Sequence, residues 1–262
     1  MALTLSSVIV ALVSSVFLTQ NNFYRFVIQR TRVQDNLRVV TDLIASEVRG
    51  VAGGGVTTAE SRRFVVRLPI GMAGVCRAEA GAGHVYMPGL SQVYGNEVAG
   101  YARQDPGGNW TYTTDTWSNL LTSSGSGDAN SCLTTSGADT VGATADFGRF
   151  LIPGGTTLGE IVMIYREVEF KIDRSQLDPK TLAVYRGVTG DTLREFATGI
   201  TPNTKFQYRL PSSPYQNSIT GASLALIENI RVTASAIATD SIGGIKSYSY
   251  EWTVGIPLRN SN

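Results

Sequence analysis

The side chains able to do chemistry are few and scattered. Among 262 residues there is one histidine, His84, and there are two cysteines, Cys76 and Cys132. A single imidazole argues against histidine-based triads and against metal clusters, which draw on several such ligands. No G-x-S-x-G turn, phosphate-binding loop or dinucleotide fingerprint occurs. Glu160, Asp173 and Asp178 are the carboxylates that could be cast as an acid/base pair or as calcium ligands, but acidic residues beside hairpin turns are ordinarily solvated. The expectation is a protein without catalytic residues, cofactor or metal site. In an oxidising compartment Cys76 and Cys132 are expected to form one disulfide, closing a loop of about 57 residues and contributing ~4 kcal/mol; two separate buried thiols are the alternative. Asn109-Trp110-Thr111 is the one glycosylation sequon.

Composition narrows the class. With 42% hydrophobic and 16% charged residues the chain has ample material for a core, and a net charge of +1 excludes strong bulk attraction to nucleic acid. The cysteines and the Ser, Thr and Gly content point to export.

The element that organises the rest is at the N-terminus. Residues 1–18 (MALTLSSVIVALVSSVFL) carry no charge, Gly or Pro. As a helix they span about 27 Å, close to the ~30 Å apolar core of a bilayer, so a membrane crossing is expected. The helical period then continues. Phe23, Phe26, Val27, Val33, Leu37, Val40, Ile44 and Val48 fall mostly three or four apart, with Arg25, Gln29, Arg32, Asp35, Arg38 and Asp42 opposite. Gly50 is the first plausible terminator. No basic residue precedes the apolar run and Arg25, Arg30 and Arg32 follow it, which conflicts with export unless a basic leader has been removed.

Residues 51–150 read as a Gly/Ser/Thr-rich surface region, with short strands at 63–68 and near 84–87 and loop signals such as Ser123-Ser124-Gly125-Ser126-Gly127. Residues 151–262 are the clearest β region. Val168, Phe170 and Ile172 alternate with charged residues, and Tyr248, Tyr250, Trp252, Val254, Ile256 and Leu258 occupy every second position. The expected fold class is α+β. A helix over 1–50 packs its second half on a C-terminal antiparallel sheet through Phe23, Val27, Val33, Leu37, Val40, Ile44 and Val48.

Leu3-Thr4-Leu5-Ser6-Ser7-Val8-Ile9-Val10-Ala11-Leu12 resembles the N-terminal segment of type IV pilins and type II secretion pseudopilins, whose mature chains begin in the manner of FTLVELLVAL. Gln34-Asp35-Asn36-Leu37-Arg38 through Leu43-Ile44-Ala45-Ser46-Glu47-Val48-Arg49, the TPNTKFQYRL stretch at 201–210, and Ile230-Arg231-Val232-Thr233 with Leu258-Arg259-Asn260 are similar to segments of PilW-type pilins. The resemblance covers the first 50 residues and much of 160–260. It implies the pilin fold, residence in the inner membrane before assembly, and then an extracellular filament on a bacterial surface. The implied partners are copies of the chain itself, other pilins, a prepilin peptidase and the pilus assembly machinery. Leu3, Leu5, Ser7, Val8, Ala11, Leu12, Val16 and Phe17 would form the helical core of the assembly. One departure stands out: Ser7 or Leu5 occupies the place where most members carry a Glu that meets a neighbour's amine. The expected function is a structural subunit of a pilus-like filament serving adhesion, motility or surface display. A type II secretion pseudopilin and a membrane-tethered exported binding domain are the alternatives.

Overall fold

The protein is seen in a computed structural model that describes residues 2–79, 82–88, 98–104, 110–116, 121–124, 147–153, 157–239 and 247–258. One long helix, α1 (Ala2–Val48), opens the chain. It gives way near Gly50, where Arg49 N still donates to the Ala45 carbonyl and Val51 N to that of Val48. Among the described residues thirteen strands follow: β1 (Val56–Glu60), β2 (Arg63–Glu79), β3 (Ala82–Pro88), β4 (Val98–Gln104), β5 (Trp110–Thr116), β6 (Leu121–Ser124), β7 (Phe147–Pro153), β8 (Ile161–Arg174), β9 (Leu182–Val188), β10 (Arg194–Ile200), β11 (Lys205–Arg209), β12 (Asn229–Thr239) and β13 (Ser247–Pro257).

All belong to one sheet in the order β11-β12-β10-β9-β8-β2-β3-β7-β6, with β1 on β2, β13 on β12, and β4 bridging β8 and β5. This corrects the expected α+β arrangement of a helix on a modest C-terminal sheet. The protein is mainly antiparallel β, a barrel-like sheet with one N-terminal helix. The difference lies in residues 51–150, where the short strands expected at 63–68 and near 84–87 fall on β2 and β3, and β1, β4, β5, β6 and most of β7 extend the sheet through sequence that reads as loop. Two compositional features explain it. In β5 (WTYTTDT) threonine acts as a β-branched strand former. In β4, Gly100 is a packing residue rather than a turn signal, because a Cβ there would collide with the Thr113 carbonyl and the Tyr165 ring.

β2 and β8 form the spine, in register from Arg63 opposite Lys171 to Gly74 opposite Ile161. Alternation sorts their side chains. Phe64, Val66, Val168, Phe170 and Ile172 enter the core. On the other face Arg63 meets Glu169 at 2.8 Å and Arg67 meets Glu167 at 3.3 Å. Phe64 stacks on Phe170 with ring centroids 4.8 Å apart and meets Phe206 edge-on at 4.6 Å. The sheet curls until β11 approaches β1: Phe206 N donates to the Ser61 carbonyl at 2.8 Å, and the Tyr208 hydroxyl to the Glu60 carbonyl at 2.8 Å. Against the inside of this curl α1 lays Leu37, Val40, Ile44, Ala45 and Val48, each no more than 4% exposed and spaced as one helical stripe. A second apolar cluster, with Val75, Val85, Tyr101, Ile152, Val162 and Ile164, lies where β2, β3, β4, β7 and β8 meet.

Two further expectations are corrected. Among the described residues no helix is long and apolar enough to cross a membrane. From Val10 onward the run is diluted by Ser14, Ser15, residues 19–22 and Arg25, and the inner-membrane stage, with the localisation built on it, falls with the span. Cys132 lies outside the described residues, Cys76 is on β2, and among the described residues there is no disulfide. The middle of the chain is instead tied by ladders, β3 pairing with both β2 and β7.

Tyr112 fastens the turn after α1 to the sheet. Its hydroxyl donates to the Gly53 carbonyl at 3.2 Å, and its ring faces Arg67 at 4.7 Å and Tyr165 at 5.5 Å. Burial pushes the Tyr112 hydroxyl up to about 12, against the pull of Arg67. The ordinary tyrosine value is 10.0, so the unfolded chain ionises first as pH rises. The contribution of Tyr112 is whole below its ordinary value and is lost as pH climbs through about 12. Urea unfolding across that window should show the wild type losing stability more steeply than Tyr112→Phe. At neutral pH, Phe170→Ala should lower the unfolding free energy by about 3–5 kcal/mol, since it opens a cavity in the aromatic triad.

Candidate assembly surface

α1 is longer than the sheet that receives it. Its contacts run to β2, β10, β12 and β13, and the first of its side chains packed against the main core is Val33. Two cation–π contacts flank this seat: Arg30 over Tyr250 at 5.6 Å and Arg38 over Trp252 at 5.7 Å. At the distal end Arg186 Nε meets Glu47 Oε2 at 2.8 Å, joining the last turn of the helix to β9. Residues 2–24 extend away from the seat over about 35 Å.

That free half is apolar without being covered. Val10, Leu12, Val13, Val16, Phe17, Leu18, Phe23 and Tyr24 are all between 55% and 67% exposed. At about 100° per residue seven of these positions fall within an arc of about 160°, with Leu18 outside it, so the exposed apolar face is a broad one. A broad apolar face of this kind is one that ends up buried against another surface. Covering eight such side chains is worth on the order of 10–20 kcal/mol at ~1.5–3 kcal/mol each, before ordering costs. Two of its hydroxyls do not oppose burial. Ser15 Oγ donates to the Leu12 carbonyl at 2.8 Å and Thr19 Oγ1 to the Ser15 carbonyl at 2.8 Å, so both are satisfied within the helix.

Of the residues expected in an assembly core, Leu12, Val16 and Phe17 belong to this exposed set. Leu3, Leu5, Ser7, Val8 and Ala11 lie on the helix, but their side chains are outside the described residues. Val10, Val13, Leu18 and Tyr24 join the set; the same unbroken apolar run was the signal for the first three. Of the residues expected against the sheet, Leu37, Val40, Ile44 and Val48 are buried and Val33 partly so. Phe23 and Val27 are exposed at 67% and 39%, because the sheet does not reach that far up the helix.

The other chemical candidates are not brought together. His84 is on β3, and Asn109 lies outside the described residues. Asp173 is held by Lys171 at 2.6 Å, which together with the Arg174 amide keeps its carboxyl below the usual range. Asp178 accepts the Lys180 amide, and Glu160 lies 3.8 Å from Arg103. Among the described residues no group of three His, Cys, Asp or Glu side chains is placed to hold a metal.

Comparison with known protein families, curated proteins and solved structures finds no match to the chain.

The two halves of α1 should respond differently to the same change. Val40→Asp places an unpaired carboxylate in the core and should cost ~3 kcal/mol or more in denaturant unfolding. Val13→Asp should leave the unfolding of the β portion within about 0.5 kcal/mol of wild type, read by the fluorescence of Trp252 on β13.

Proposed function

We propose that the chain is the structural subunit of a helical, type IV pilus-like filament, in which the free halves of α1 from many copies pack together and the β portion faces outward. The observation that carries this reading is the 55–67% exposure of eight large apolar side chains on the projecting helix, seven of them on one broad face. The apolar, Ser- and Ala-containing segment at 3–12 that resembles pilin N-termini supports it independently.

The physical logic is one of unmatched surfaces. A helix stripe that fits the sheet is already used within the chain, so what remains free is suited to other helices. Small residues such as Ala11, Ser14 and Ser15 allow close approach. In this reading each projecting helix packs head-to-tail on its neighbours, a heterologous contact. Contacts of that kind propagate into open helical assemblies. The partners in this reading are further copies of the same chain.

Electron microscopy of the purified full chain, with any fibres identified by mass spectrometry, tests the reading. Fibres containing the wild-type chain and none with Phe17→Asp, in a protein whose β portion still unfolds cooperatively, are expected. A wild-type chain that sediments only as monomer, or a Phe17→Asp variant that still forms fibres, would overturn it.

A further inference from the structure

The inner face of β8 breaks its own pattern. Val162, Ile164, Val168, Phe170 and Ile172 are each no more than 3% exposed, and the position between Ile164 and Val168 on that same face is Arg166. β9 does likewise, setting Arg186 between Val184 and Val188. A charge on a core-facing position is costly unless it is paired. Arg186 is paired, its Nε on Glu47 Oε2 at 2.8 Å. Arg166 has no side-chain hydrogen bond or ion pair among the described residues. Of the two guanidiniums, only Arg186 has a carboxylate partner.

Strand topology opens space around them. Up to Arg166, β8 is flanked by β4, with Tyr101 opposite Ile164 and Ala99 opposite Arg166. From Val168 onward its neighbour is β9, with Val188 opposite Val168. β4 and β9 thus meet β8 end to end, and they part at Arg166. Beside this fork, under the last turn of α1, is a cleft of about 400 Å³ with Arg166, Arg186 and Glu47 at its polar side and Leu68, Pro69 and Ile70 along its apolar side. That volume is within the range of small-ligand sites, which typically run from about 300 Å³.

We propose that this cleft binds a carboxylate carried on a small apolar body, the carboxylate on Arg166 and the apolar part against Leu68, Pro69 and Ile70. A guanidinium fork matches a carboxylate in a two-bond, planar geometry that a neutral amide cannot supply. Glu47 disfavours a second negative charge, so the ligand is a monoanion. The site lies about 35 Å along α1 from Tyr24, so it stands or falls separately from filament formation.

Calorimetric titration of the full chain with hexanoate, hexanamide and the capped tripeptide Leu-Glu-Leu tests this. Saturable hexanoate binding with Kd of about 1 mM or tighter is expected, with no binding of hexanamide and at least ~10-fold weakening in Arg166→Gln at unchanged unfolding midpoint. Should that variant not fold, the Nε–H resonance of Arg166 in the wild type replaces it, shifting on addition of hexanoate. Tighter binding of the tripeptide than of hexanoate assigns the site to an acidic side chain of a polypeptide, and weaker binding to a free organic acid; both sustain it. Absence of saturable hexanoate binding, equal binding of hexanamide, undiminished binding by Arg166→Gln, or an unmoved Arg166 resonance would overturn it.

Discussion

The fit of one helical stripe into a curled sheet is the interaction on which the rest depends. Leu37, Val40, Ile44, Ala45 and Val48 belong to the same core as Phe64, Phe170, Phe206 and Ile230. Without that stripe the inner face of the sheet would be open to water, and without the sheet the helix would have no fixed direction. The sheet is only long enough to cover the part of α1 beyond Val33, whereas the helix runs for 47 residues. This difference in length divides the molecule into a settled part and an unsatisfied one.

The sheet manages its two faces by different physics. Inside, close-packed aromatics supply area and shape, with Phe64 wedged between Phe170 and Phe206. Outside, cross-strand charge pairs such as Arg63 with Glu169 keep the register polar on that side; a one-residue slip would carry these charges into the core. Arg67 does more than pair with Glu167, since it also lies against the rings of Tyr112 and Tyr165. Through Tyr112 that cluster reaches the Gly53 carbonyl, so the turn leaving α1 is fixed from the sheet's outer face as well as by its inner one.

Elements with strong periodicity were legible in the sequence. The helix announces itself through spacings of three and four, and β13 through the alternation from Tyr248 to Leu258. Of the middle region only parts of β2 and β3 were, because the residues of the other strands carry a second meaning. The threonines of β5 read as loop formers in isolation and become strand residues only in their pairing with β4, where Tyr165 occupies the space a Cβ at Gly100 would need. Arg166 is an intermediate case. Its interruption of the apolar alternation in β8 is visible in the sequence, but only the register with β4 and β9 shows that the sheet forks there. Long-range pairing decides such positions, and local propensity does not contain it.

The seat of α1 on the sheet also has a mechanical character. From Val33 to Val48 the helix lies against β12 and β13 with its distal end latched by Arg186 to Glu47. A tension applied along the axis of the projecting half would load those contacts together, in shear, rather than peeling them one after another. A sideways force at the free end would act instead through a lever about 35 Å long. The joint is thus stiff to pulling and compliant to bending, the combination expected of an anchored strut.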